Sequence, residues 1–155
     1  MSEYQEAAAL VEPHLGESDF EAQPEDRVSR AEEVLGVRFP PSYRRFLLEL
    51  GSGAVGSEEI YGLVNDDFDD HRPPQMVGLT RAFRREGHIS DDLVVIYNLG
   101  QGSWYALDMS RAGPDGEAPV VAFTPGLNSP DDDLLEIAPD FGTFFRDALR
   151  TDVGE

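Results

Sequence analysis

The sequence predicts an α+β fold: a single domain in which a mainly antiparallel sheet of about four to six strands is packed by helices. Apolar residues recur at helical spacing in several separate stretches, while others fall in short runs bounded by Gly, Pro, Asn and Asp, the mark of strands. The runs at 93–97, 103–108 and 119–124 follow one another through turn-rich connections, so they are expected to form hairpins. A chain of 155 residues, 40% hydrophobic with nine Phe, five Tyr and one Trp, is the size of one domain with one core.

Residues 1–17 read as a peripheral N-terminal arm. Ser2 can cap a short helix to Val11, but the apolar residues form one run, AAALV, and Pro13 and Gly16 end it. The domain proper is expected over 18–150, with 151–155 as a C-terminal tail. Pro24 followed by Glu25 and Asp26 suits a helix N-terminus, where free N–H groups favour negative charge. Val28, Ala31 and Leu35 repeat at helical spacing and Gly36 closes that helix. Pro40-Pro41 opens a second helix, in which Tyr43, Phe46, Leu47 and Leu50 share one face while Arg44, Arg45 and Glu49 point away.

The segment Gly51-Ser-Gly53-Ala-Val-Gly56 matches G-x-G-x-x-G, the pattern associated with dinucleotide pyrophosphates. That chemistry needs a strand before the loop and a helix after it. Here a helix precedes and a strand, expected at Glu59–Val64, follows, so the segment reads as a helix cap and a mobile turn. Asn65 to His71 is the densest acidic run. As a calcium loop it fails: counting from Asn65, the glycine position holds Asp70 and the bidentate glutamate position holds Met76. It reads as an exposed loop able to meet Lys or Arg of a partner, with Phe68 as an apolar anchor among the charges.

After Pro73-Pro74, the spacing of Met76, Leu79 and Phe83 predicts a short helix stopped by Gly87, and its Arg81, Arg84 and Arg85 are expected to pair with the chain's own carboxylates. Leu93–Tyr97 reads as a strand buried on both faces at the centre of the sheet. A turn over 98–102 leads to Ser103–Asp108, where Trp104, Ala106 and Asp108 alternate with Ser103, Tyr105 and Leu107. A third strand is expected at Pro119–Thr124. The acidic stretch Pro125–Pro139 reads as a connection, and Asp140 as the N-cap of a last helix with a core stripe of Phe141, Phe144, Phe145, Ala148 and Leu149.

Charge narrows the function. Thirty-one acidic side chains face 12 basic ones, all Arg, for a net charge of −19. Phosphate repulsion argues against nucleic acid as a ligand, and an anionic membrane is disfavoured for the same reason. Such a surface attracts a basic protein; it also serves simply to keep a monomer soluble. With no cysteine, a disulfide framework, a thiolate metal site and a cysteine nucleophile are all excluded. His14, His71 and His88 have neither metal-site nor triad spacing, and no nucleophile elbow or P-loop occurs, so neither an enzyme nor a cofactor is expected. The N-terminus does not read as a secretory signal and no long apolar run occurs, which predicts a soluble cytoplasmic protein.

Val28, Ala31-Glu32, Leu35-Gly36, Phe39-Pro40, Tyr43-Arg44, Phe46-Leu47 and the glycine turn Gly51–Gly53 stand in an order and spacing that resembles the SMI1/KNR4 (SUKH) superfamily. Further on, Glu59-Ile-Tyr-Gly62, Asn65-Asp66-Asp67, Asp92–Ile96, Gly100-Gln-Gly102, Tyr105–Asp108, Pro119-Val-Val121 and Asp140-Phe-Gly142 look like its bacterial YobK-type antitoxins. The likeness spans about residues 18 to 150. It departs at the glycine turn, LGSGAVG where Asn-Gly-Gly is common, and at Gln101, where an acidic or small residue is usual. The resemblance implies a mixed α+β domain and a bacterial immunity protein that binds and blocks a cognate toxin, often a nuclease. The alternative it leaves is a general interaction or regulatory scaffold, as in distant eukaryotic relatives. Because such proteins share no toxin-contacting residues, the candidate contacts come from this sequence: Glu58, Glu59, Asp66, Asp67, Phe68, Asp69, Asp70, Asp131, Asp132 and Asp133, with Trp104 and Tyr105 as aromatic anchors.

Overall fold

A computed structural model of the chain describes residues 2–15, 19–55 and 58–152. Two helices at its centre follow the sequence pattern closely. α2 (Glu25–Leu35) buries Val28, Ala31 and Leu35 and ends at Gly36, whose φ of 68° is the left-handed conformation that a side chain disfavours. α3 (Pro41–Glu49) buries Tyr43, Phe46 and Leu47. Burying each such side chain contributes roughly 1.5–3 kcal/mol relative to exposure. The Tyr43 hydroxyl, fully enclosed, donates to the Tyr61 carbonyl at 2.7 Å, so its polar end is satisfied inside the core. α5 (Phe141–Asp152) lays its phenylalanines against α3, with ring centroids 4.9 Å apart for Tyr43–Phe141 and 5.2 Å for Phe46–Phe145. Asp140 caps α5 as expected, its Oδ1 accepting from the Thr143 N–H at 2.7 Å.

The N-terminal segment corrects the sequence expectation. α1 (Glu3–Val11) is no peripheral arm: Tyr4, Ala7 and Val11 are buried, and the helix packs along α5. Positions 4, 7 and 11 form a helical stripe that the AAALV run conceals, because Ala8, Ala9 and Leu10 fall outside it. Ser2 and Gln5 form a capping box, the Tyr4 hydroxyl donates to Glu49 at 2.9 Å, and Arg146 and Arg150 each meet Glu6 at 3.2 Å. At the other end, α5 runs through Thr151 and Asp152, so the expected tail begins inside a helix; residues 153–155 lie outside the described residues.

Four strands, β3 (Leu93–Asn98), β4 (Trp104–Asp108), β5 (Val120–Phe123) and β6 (Leu135–Ala138), form one antiparallel sheet in the order β3-β4-β5-β6. β3 is therefore an edge strand and not the sheet's centre. It is buried because other elements close its outer side: the Tyr61 N–H donates to the Ile96 carbonyl at 2.8 Å and the Val95 N–H to the Thr80 hydroxyl at 3.0 Å. β6 replaces part of the expected 125–139 connection. Its first three residues are exposed and only Ala138 is buried, so no alternation announces it. A separate hairpin pairs β1 (Gly53–Val55) with β2 (Glu58–Ile60), so the glycine turn supplies a strand and the expected strand at 59–64 is shorter. Gly51, Ser52 and Gly53 are buried within it, and Gly56 lies outside the described residues.

α4 (Met76–Arg85) covers one face of the sheet, where Phe83 meets Trp104 at 5.0 Å and Phe123 at 5.4 Å. α5, backed by α1 and α3, covers the other. Of the α4 arginines, Arg81 pairs with Asp69 at 3.0 Å as expected. Among the described residues Arg84 pairs with no carboxylate: it donates to the carbonyls of Leu35 at 2.8 Å and Leu93 at 3.1 Å, joining the end of α2 to the start of β3. Helices and antiparallel strands are thus layered around one core, the α+β arrangement the sequence predicts.

Candidate functional site

The register of the sheet sets one row of side chains across it. Tyr97 opposes Tyr105, Tyr105 opposes Ala122, and Ala122 opposes Leu135, so these four lie on the α5 face in β3, β4, β5 and β6 in turn. α5 covers the row incompletely. Beside the middle of the helix a groove of about 270 Å³ remains, lined by Glu58, Tyr97, Leu99, Tyr105, Ile137, Ala138, Phe144, Asp147 and Ala148. Tyr97 and Tyr105 stack at 5.4 Å and Phe144 meets both rings edge-on, at 5.5 and 5.7 Å, forming an aromatic floor. The strand β6 bulges at Ile137, which brings Ala138 to the same face, so that Ile137 and Ala138 both line the groove. Glu58 accepts from the Tyr97 hydroxyl at 2.7 Å. Burial, followed by that carboxylate, pushes the Tyr97 phenol well above its ordinary value, so the ring stays neutral.

Sequence reasoning found Glu58 and Tyr105 here but missed Tyr97, Leu99, Ile137 and Phe144. Leu99 gave one signal, an apolar residue in an otherwise polar glycine turn. Leu99 and Ile137, both in the groove lining, are 45% and 38% exposed, and Leu135, in the row across the sheet, is 72% exposed.

The acidic loop is built differently from its sequence reading. Phe68 is 9% exposed and belongs to the core, so it cannot serve as a surface anchor; the chain folds its one large apolar residue inward and leaves the carboxylates out. Gln75, fully buried, holds the loop from beneath by donating to Asn65 Oδ1 at 3.0 Å and to the Asp67 carbonyl at 2.8 Å while accepting from Val64 N–H at 3.3 Å. Gly78 lets the loop lie on α4: a Cβ there would stand 2.0 Å from the Asp70 carbonyl oxygen. Most of the loop's charge is met internally. Asp66 is bound by Arg27 at 2.9 Å and by Arg30, which hold its carboxyl down to about 2; Asp69 pairs with Arg81, and Asp70 with Arg72 at 2.9 Å. Asp67 accepts from the Asp69 N–H at 3.2 Å.

The other predicted contacts are dispersed. Trp104 and Tyr105 point to opposite faces of the sheet, Trp104 packing under Phe83 and Tyr61, so the two do not form one anchor. Glu59 is half-buried in β2, and burial followed by Asp19 pushes its carboxyl up. Asp131, Asp132 and Asp133 are exposed just before β6; Asp132 accepts from Ser129 at 2.9 Å and Asp133 pairs with Arg111. A polar cleft of about 220 Å³ near the N-terminus contains Ser42, Glu117 and Asp140. Its chemistry is structural: Pro40 provides no side-chain cap for α3, and Glu117 replaces one by accepting from the Ser42 N–H at 3.0 Å and hydroxyl at 2.7 Å. Burial pushes the Glu117 carboxyl up against those bonds. Among the described residues no group of three or more His, Asp or Glu is placed to hold a metal ion, and no helix is long and apolar enough to cross a membrane.

Residues 25–145 match the family model described as SMI1-KNR4 cell-wall, of the SUKH group. The match runs from the start of α2 into α5 and takes in the acidic loop, the whole sheet and the groove's aromatic floor. No curated protein matches the chain.

Proposed function

This chain belongs to the SMI1-KNR4 family, and on that premise we propose that it is an immunity protein, one that binds a cognate toxin in the cytoplasm and blocks it without catalysis. The observation that supports this reading is an open aromatic groove set in a molecule of net charge −19. Charge and groove have separate tasks. A toxin that acts on nucleic acid carries a basic substrate groove, and an acidic monomer is drawn to it by long-range attraction that raises the association rate. Apolar contact in a desolvated seat then slows dissociation. Covering the substrate groove suffices for inhibition, which needs no reacting group on this chain.

Co-expression tests the reading. Cells producing the toxin encoded beside this gene should grow when this protein is present and stop when it is absent. Growth arrest with every neighbouring toxin, despite soluble protein, would remove the proposal.

A further inference from the structure

We propose that the groove floored by Tyr97, Tyr105 and Phe144 seats one large apolar or aromatic side chain of a basic partner segment, whose flanking Lys or Arg residues meet the carboxylates around it. The inference rests on the reading above for the partner being a protein, and adds where and by what chemistry it is held. At about 270 Å³ the groove is smaller than the usual small-molecule pocket and open to solvent, which suits a single side chain. Above that aromatic floor its walls are apolar at Leu99 and Ile137.

Charge decides the occupant. Glu58 and Asp147 stand in the groove's lining. Arg146 lies 3.1 Å from Asp147 and Glu58 accepts from the Tyr97 hydroxyl, so among the described residues two lining carboxylates face one arginine, in a molecule of net charge −19. A second copy of a chain of charge −19 would bring the same sign to the contact, and so would a nucleic acid or an anionic membrane. A cationic segment with an apolar centre satisfies both the seat and its rim. The acidic loop at 66–70 is a poorer seat, since three of its carboxylates already face Arg27, Arg30, Arg72 and Arg81 and its phenylalanine is turned inward.

The test uses NMR on the full chain with the peptide Lys-Lys-Trp-Lys-Lys, a second with Ala for Trp, and a third with Glu for each Lys. The Trp peptide should shift the ring signals of Tyr97, Tyr105 and Phe144 and the amides of Leu99 and Ile137. The Ala peptide should bind about tenfold more weakly and the Glu peptide not at all. Leu99→Asp, in an exposed turn, separates docking from general attraction. Docking predicts about tenfold weaker binding of the Trp peptide, whereas general attraction to negative charge predicts equal or tighter binding. Ile137→Asp repeats the test from the opposite wall, with circular dichroism confirming that each variant is folded. Equal affinity of the Trp and Ala peptides, shifts centred on 66–70, or tighter binding to Leu99→Asp would overturn the proposal. Concentration-dependent shifts at the groove without peptide would assign it to self-association instead. Because the peptides contain no toxin, a failed growth rescue with intact peptide docking would remove the immunity reading alone, and the converse would remove the groove alone.

Discussion

Replacing Phe68 by Ala distinguishes a buried loop residue from a surface anchor. Complete loss of an enclosed phenylalanine costs about 3–5 kcal/mol, and Phe68, 9% exposed at the rim of the core, belongs at the low end, about 3 kcal/mol. For a chain of this length about 1 kcal/mol moves the melting temperature by about 2–4 °C, so Phe68→Ala should melt about 6–12 °C below the parent. Urea unfolding followed by circular dichroism gives the free energy, and thermal scans the shift. Well below its melting range the variant should still protect cells against the toxin, because the ring faces inward. A stability change under about 1 kcal/mol together with lost protection would refute the argument and return Phe68 to the surface as an anchor.

Gly78→Ala sets a small gain in helix propensity against a clash with the Asp70 carbonyl, and since that atom is backbone the clash should win, with a net loss of about 1–2 kcal/mol in urea and amide shifts concentrated over residues 66–71. Glu117→Ala should destabilise the fold by about 1–2 kcal/mol through the uncapped start of α3, and Ser42→Ala by less, because the Ser42 N–H bond to Glu117 survives; equal stability of Glu117→Ala and the parent would contradict this. Asp66 should titrate near 2 by carboxyl-detected NMR, moving towards 3.8 in a variant with both Arg27→Ala and Arg30→Ala. Its folded-state value lies below the unfolded one, so whatever stability this pairing contributes is present above about 4 and fades as pH falls towards 2.

How much of this was legible follows from where each signal lies. α2, α3 and α5 each carry their whole apolar stripe within a dozen residues, and the β3–β4 hairpin is bounded by a glycine turn, so local spacing reveals them. α1 was misread because three consecutive alanines blurred a stripe defined by Tyr4, Ala7 and Val11. β6 was missed because an edge strand with an exposed outer row lacks the alternation that burial imposes. The opposed directions of Trp104 and Tyr105 were readable from the two-residue period of a strand alone. The acidic loop was visible as composition, but its arginine partners at 27, 30 and 81 are brought to it by helices distant in sequence. The groove draws on β2, β3, β4, β6, α5 and the turn after β3, and no sequence window contains that combination.

The most direct measurement is a titration of the purified toxin's activity with this protein. The account predicts a linear fall to the baseline at one equivalent of the parent, with Leu99→Asp requiring a clear excess. Full toxin activity in the presence of several equivalents of the folded parent would contradict it.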